Sequence, residues 1–405
     1  MFANKYYERD IQYAFAMNRL FLRVIGLWPL ARSKSFFLDL IETVAVVFAC
    51  SVLLLCEIIP SVLYMAMILS DIRTRLKVAS CIILSTVTVL KYSSVLLYRS
   101  QVRSCLLMMD EDWRNVVDPK DRTSMINKVK IGKRLIVMCA IFVYMTGVAF
   151  RMILPLSMGK IVTPQNVTIR PLPCVAHLVI LDVQRSPIYE IVYGLQFFAG
   201  FTKYTITLAA FGFVTICAMH FCAQSNILVT LMNDFVNETR PENLDKKLAT
   251  VVNHQIKIRN FLATHFSFLQ MVQTATQYPS LVEVLGSTVM ICFAGYYMLL
   301  AWDAHSAVRL FSYGVIQVML CFDLFIYCYM GEQVIEQGEK VALTACTLEW
   351  HHLPYKKARG LILLIAISET PLKLKAGNFI DLSVRTFSNV IKMAVTYLNL
   401  LRSMG

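Results

Sequence analysis

The sequence predicts an all-α polytopic membrane protein with seven transmembrane helices, a cytoplasmic N-terminus and an extracellular C-terminus. Three observations predict it. The 405-residue chain is 57% hydrophobic and only 16% charged, too little charge to cover the surface of a soluble protein of that size. Several runs of about 20 residues are nearly free of charge, the length that crosses a hydrocarbon core of roughly 30 Å. Lysine and arginine are also divided unequally between alternate loops, which sets the orientation.

The opening stretch, MFANKYYERDIQYAFAMNRLFLRVIGLWPL, mixes charges among its apolar residues. It therefore reads as an amphipathic interfacial helix, with Tyr13, Met17, Leu20 and Val24 on one side, and not as a cleavable signal. Residues 1–37 form this cytoplasmic or interfacial segment. Six spans follow at roughly 38–60, 76–98, 133–156, 189–219, 265–302 and 306–330, so residues 38–330 make a six-span bundle. The fourth and fifth are longer than a bilayer needs and are expected to continue into the cytoplasm.

Residues 331–377 read as a cytoplasmic helical anchor segment. Glu332, Glu336 and Glu339 share a helical face, Val334, Val341 and Leu348 are apolar positions, and Pro354 opens a second helix through Ile367. Residues 378–405 hold the seventh span, at about 379–404. There Arg385, Asn389, Lys392, Thr396, Asn399 and Ser403 recur at spacings of 4, 3, 4, 3 and 4, one narrow stripe on a helix of 3.6 residues per turn. Polar residues also join helices in a membrane, but six positions in register favour contact with water, as in a pore shared by several subunits. Leu400 and Met404 border the stripe near its end, where apolar side chains gate by dewetting.

Lysine and arginine counts fix the sidedness. The N-terminal segment and the segments before spans 3, 5 and 7 carry 6, 9, 5 and 6, against 3, 3, 0 and 1 on the opposite side. The net charge of +13 is therefore a membrane-orientation signal, and no nucleic-acid partner is expected. The sequon at Asn166 falls in an outer loop and is a candidate for glycosylation, whereas that at Asn237 falls inside. The twelve cysteines lie mostly within apolar spans, where cysteine is a small hydrophobe. Cys174 is the single one in an outer loop, and no disulfide framework is expected.

No glycine-rich phosphate loop, H-E-x-x-H or C-x-x-C occurs, so enzymatic activity, a metal and a cofactor have no positive support. His351 and His352 follow Cys346, but adjacent histidines point to different sides of a helix. Ionisable residues within spans carry more information, because each is costly in hydrocarbon. Arg151 and Arg309 lie near span ends and are expected to snorkel to the interface. Lys91, Lys203, Glu283 and Asp323 lie deeper, as buried ion pairs or a cavity lining. Tyr189, Tyr193, Phe197 and Phe201 recur every fourth residue, and Tyr296, Tyr297, Phe311 and Tyr313 add aromatics from spans 5 and 6. Such stripes commonly serve packing. Where these faces converge, with Tyr92 and Phe150, they make an apolar cavity for a small lipophilic ligand, and Gln317 supplies a polar group to orient it.

The stretch from Tyr327 to Met404 closely resembles the C-terminal signature of insect odorant receptors. The resembling elements are Tyr327-Cys328-Tyr329 with Gly331-Glu332, Trp350 with Leu353-Pro354, Pro371-Leu372 with Ala376-Gly377, and Thr396-Tyr397 with Leu400-Leu401-Arg402-Ser403-Met404. The resemblance implies a ligand-gated cation channel of the plasma membrane of olfactory sensory neurons. In that family an odour-tuned subunit assembles as a tetramer with a shared coreceptor. The last helices line the pore, and small volatile odorants bind among spans 2 to 6. By position, the gate falls at Leu400 and Met404 with Ser403 beside them, and residues 331–377 correspond to the inner anchor domain. The coreceptor typically has a much longer loop between spans 4 and 5, so the short one here implies a tuned receptor. Arg385 and Lys392 would oppose cations on the pore axis, leaving a wide vestibule or a subunit boundary for them. A gustatory receptor subunit is the nearest alternative, and a G-protein-coupled receptor, with the opposite orientation, is the alternative from another class.

Overall fold

The computed structural model describes residues 4–28, 36–67, 72–153, 155, 161–162, 168–174, 182–238, 240–259, 268–349, 351, 353–369, 373–377 and 379–404. Helix α1 (Tyr7–Val24) precedes α2 (Phe36–Met67), α3 (Ile72–Leu97), α4 (Arg99–Asn115) and α5 (Pro119–Val148). A π-helical turn (Ala149–Ile153) ends α5. A two-stranded antiparallel hairpin, β1 (Ile161–Val162) with β2 (Thr168–Ile169), follows. Then come α6 (Ile188–Val236), α7 (Pro241–Arg259), α8 (Phe268–Asp303), α9 (Ala307–Thr347) and α10 (Tyr355–Ser368). A second hairpin, β3 (Lys375–Ala376) with β4 (Ile380–Asp381), leads into α11 (Val384–Met404).

Among the described residues, six helices are long and apolar enough to cross a membrane: α2, α3, α5, α6, α8 and α9. They coincide with the six expected spans. The seventh, α11, has 21 residues, also sufficient to cross, but its polar stripe lowers its hydropathy. The run-on of the fourth span is found in α6, whose 49 residues extend about 70 Å at 1.5 Å per residue. The sixth span also runs on, since α9 continues without a break to Thr347. The first arm of the expected anchor hairpin is therefore the end of a spanning helix, and α10 folds back beside it.

Helix α6 is the central post. Every residue from Leu208 to Ser225 is buried, and a helix buried on all sides belongs inside a bundle. Small residues allow close approaches along it. A side chain at Gly212 would meet Asn18 of α1, and one at Gly200 would meet Arg151.

Helix α1 has two apolar faces. Tyr7, Ile11, Phe15 and Leu22 are buried against the protein, whereas the expected interfacial face keeps Tyr13, Leu20 and Val24 exposed. Its buried side is pinned by charge, because Arg122 donates to both carboxylate oxygens of Asp10 at 2.6 and 2.8 Å. Tyr7 donates to Asp110, and Arg114 pairs with the same carboxylate at 2.7 Å. A second network joins α4 to α6 and α7, where Asp112 meets His220 at 2.9 Å and also pairs with Lys257. Burial raises the pKa of Asp112, but its bonds to His220 and Lys257 outweigh this and hold it below the ordinary carboxylate value.

Candidate functional site

Helix α2 delivers Glu57 into the bundle, 1% exposed, where it meets two cations. Arg151 approaches at 2.9 Å from the π-helical turn and Lys203 at 2.6 Å from α6, each with a side chain only 3% exposed. Arg151 also donates to the Gln196 carbonyl at 2.5 Å and to the Tyr204 hydroxyl at 3.3 Å. The snorkelling expected for Arg151 is thus corrected. The π turn directs its guanidinium inward, where a carboxylate and a carbonyl replace its water. Arg309, by contrast, is exposed at the start of α9.

The same cluster fastens the segment between the β1–β2 hairpin and α6. The Cys174 thiol donates to Glu57 at 2.8 Å, and the Gln196 side chain bonds both the backbone N–H and carbonyl of Cys174, at 3.1 and 2.8 Å. Lys203 donates further to Ser85 of α3 at 3.0 Å. One carboxylate therefore joins α2, α6, the π turn and a connecting segment.

Further along the bundle, Lys91 of α3 pairs with Glu283 of α8, both nearly excluded from solvent. The other Glu283 oxygen accepts from Ser287 at 2.9 Å. These groups open on a cavity of about 50 Å³ between α3, α5, α6, α8 and α9. Leu84, Val87, Val143, Met290, Met319 and Leu320 supply its apolar wall, and Lys203 and Asp323 also face it. Asp323 is 8% exposed. The ion pair between two of the four deep charges and the cavity lining were both open in the sequence, and both occur together. Such a volume exceeds one water but falls well short of the roughly 300–1,000 Å³ of established ligand pockets.

The aromatic residues divide into two groups. Tyr296 and Tyr297 of α8 are buried with ring centroids 5.6 Å apart, and Tyr297 stacks on Tyr313 of α9 at 5.6 Å. This trio lies about two turns along α8 from Met290, on the side of the β1–β2 hairpin. Gln317, one turn from Tyr313, buries its amide oxygen without a hydrogen-bond partner among the described residues. The stripe on α6 turns elsewhere. Phe197 packs on Phe201 at 4.9 Å, Phe201 stacks on Tyr144 of α5 at 5.8 Å, and the Tyr193 hydroxyl donates to the Arg151 carbonyl at 2.9 Å. Phe150 is half-buried in the π turn beside Arg151.

Among the described residues no ring contact joins the two groups. Tyr92 joins neither, because its buried hydroxyl donates to the Ile25 carbonyl at 2.9 Å and ties α3 to the end of α1. It follows Lys91 directly and is turned about 100° away from it around the helix. Glu57 was missed in the sequence because it stands near the end of its span, where a carboxylate reads as interfacial.

Helix α11 is mounted by contacts that give the signature residues physical roles. Gly331 leaves room for the Leu382 carbonyl, which would lie 2.1 Å from a Cβ. Glu332 accepts the Val384 N–H at 2.9 Å, satisfying a donor at the start of α11. Gly377 adopts φ +60°, and its N–H donates to the Gln277 carbonyl at 2.8 Å, seating the β3–β4 turn on α8. Val390 and Ala394 are buried, and Leu398 packs over Gly295 of α8. The opposite face carries Arg385, Asn389, Lys392, Thr396 and Asn399, all exposed, with Leu400 beside them at 56% exposure. The side chains of Ser403 and Met404 lie outside the described residues, as does Asn166.

A family model described as 7tm Odorant receptor matches residues 71–395. Odorant receptor 10 of Aedes albopictus is 21% identical over 64% of this chain and 69% of that protein. Odorant receptor 2a of Drosophila melanogaster is 21% identical over 77% of this chain and 78% of its own length. A shorter match, to Odorant receptor 85b of the same fly, is 25% identical and covers 31% of this chain and 32% of that one. Among solved structures, the insect olfactory receptor OR5 from Machilis hrabei in complex with eugenol aligns with a TM-score of 0.79 at 14% identity, covering 99% of this chain and 100% of that chain. That likeness concerns the fold, while the family model spans most of the sequence. The chain therefore belongs to the insect odorant receptor family, whose members are multi-pass membrane receptors and not enzymes.

Proposed function

We propose that the chain is an odour-tuned subunit of a heteromeric, odorant-gated cation channel formed with the shared coreceptor. The observation that supports this most is the exposed polar face of α11, which the described remainder of the chain leaves uncovered. In lipid such a face is unfavourable, but in a central pore of four subunits it meets water. The bundle of α2 to α9 binds a small volatile or lipophilic molecule, and α11 carries the conducting path, with Leu400 and Met404 at its gate and Ser403 beside them. A ligand opens the pore only through its difference in affinity between the open and closed states. The Lys and Arg bias supports a cytoplasmic N-terminus and an outward, glycosylated Asn166, and family membership supports the membrane of an olfactory neuron as its location.

Recording from cells that express the chain with and without an insect coreceptor, across an odorant panel, tests this reading. Odorant-evoked cation currents that require both proteins and change with Leu400→Ala support it. An epitope reachable from outside only at the N-terminus would contradict it and favour a G-protein-coupled arrangement.

A further inference from the structure

The hydrogen bonds around the cavity leave both donors and an acceptor unused. Lys91 engages one described partner, Glu283, and Lys203 engages Glu57 and Ser85. An ammonium has three N–H groups, so the two lysines retain spare donors, and both line the cavity. Asp323 lines it too, over nine-tenths buried, and has no hydrogen bond or ion pair with a described residue. One turn along α9, the Tyr327 hydroxyl is also buried without a hydrogen-bond partner among the described residues. Buried polar groups are seldom left this way, so the cavity is furnished for an occupant that both accepts and donates.

The charges limit what that occupant carries. Lys91 is already paired with Glu283, and Arg151 and Lys203 share Glu57, all of them buried. A cationic ligand would add a buried charge beside two lysines, which is strongly unfavourable. Size limits it as well. The cavity of about 50 Å³ holds only a ligand's polar head. An apolar remainder would extend toward Tyr297 and Tyr313, about 10 Å along α8 at 1.5 Å per residue.

Resting on the reading of this bundle as the odorant-binding unit, we propose that the receptor is tuned to uncharged hydroxyl compounds, alcohols or phenols with an apolar tail. The hydroxyl oxygen accepts from Lys203 or Lys91, and its proton is donated to Asp323. A carbonyl or a carboxylate fills only the acceptor half, an ammonium only the donor half, and a hydrocarbon neither.

The test uses matched sets of alcohol, alkane, carboxylate and amine, of several chain lengths and with aromatic tails, on two readouts. One is current from cells co-expressing a coreceptor. The other is thermal stabilisation of the purified full chain in detergent, which reports binding without requiring a channel. Alcohols or phenols are expected to act at concentrations on the order of 10- to 100-fold lower than the matched alkanes. Asp323→Leu removes the acceptor while keeping a similar size, so it should bring the response to the alcohol down toward that of the matched alkane while leaving the alkane's unchanged. Loss of packing alone would lower both responses together. Stabilisation without current would preserve the ligand class and reject the channel reading. Alkanes, acids or amines equalling the alcohols would overturn the ligand class. So would no stabilisation by any hydroxyl compound, the result for a cavity that holds water only.

Discussion

Replacing Glu57 by glutamine should be among the most damaging single changes in the bundle. The substitution keeps the side chain's shape but removes the carboxylate that both Arg151 and Lys203 contact, at 2.9 and 2.6 Å. With all three side chains at most 3% exposed, solvent offers almost no screening. Breaking a buried pair by removing one partner costs about 3–5 kcal/mol, and here two cations are stranded together. Against a total stability of about 5–15 kcal/mol, this is enough to reduce surface expression. Thermal melting of detergent-solubilised protein, followed by size-exclusion chromatography, measures the loss. The triple variant Glu57→Gln, Arg151→Met, Lys203→Met removes every charge of the cluster and should recover most of it. The reasoning is refuted if the single variant melts within about 1 °C of the native protein, or if the triple variant is no more stable than the single one.

Other outcomes follow from the same contacts. Gly331→Ala places a methyl group against the Leu382 carbonyl, so it should displace α11 and abolish evoked current while leaving part of the folded protein detectable. Glu332→Ala removes the acceptor for the Val384 N–H and should cost about 0.5–2 kcal/mol, read as a lower melting temperature. His254 on α7 is held below its ordinary value of 6.5 by burial. Its neutral form is favoured in the fold, so its stabilisation is present above 6.5 and is lost as the pH falls through the folded value. Hydrogen exchange in α7, corrected for intrinsic rates, should therefore rise between about pH 7.5 and about pH 5.5, and His254→Gln should flatten that rise.

How far the sequence could be read depended on the range of the interactions involved. The spans were legible because hydrophobic length is a local property, and the α11 stripe because helical periodicity is one too. The pairing of Lys91 with Glu283 was half legible, since two opposite charges deep in separate spans need partners, but not which partners. Arg151 and Glu57 were not legible. Each stands near a span end, where water is the default expectation, and only the π turn and the crossing of α2 with α6 bring them together. Tyr92 resembled a cavity aromatic because composition does not report a hydroxyl engaged by a carbonyl 67 residues away in sequence. The continuation of α9 through the anchor segment was concealed by a change from apolar to charged residues without a change in backbone.

Thiol accessibility along α11 tests most directly whether this helix lines a conducting path. Cysteine is placed at Thr396 and Asn399 on the exposed stripe, and at Val390 and Ala394 on the face buried against the bundle. Odorant-evoked current is then recorded in the presence of the coreceptor before and after a charged thiol reagent, with the native chain as control for its own cysteines. Reduction of the current at Thr396→Cys and Asn399→Cys, with Val390→Cys and Ala394→Cys unaffected, is the expected result. Modification of the stripe cysteines that leaves the current unchanged would contradict a pore along α11.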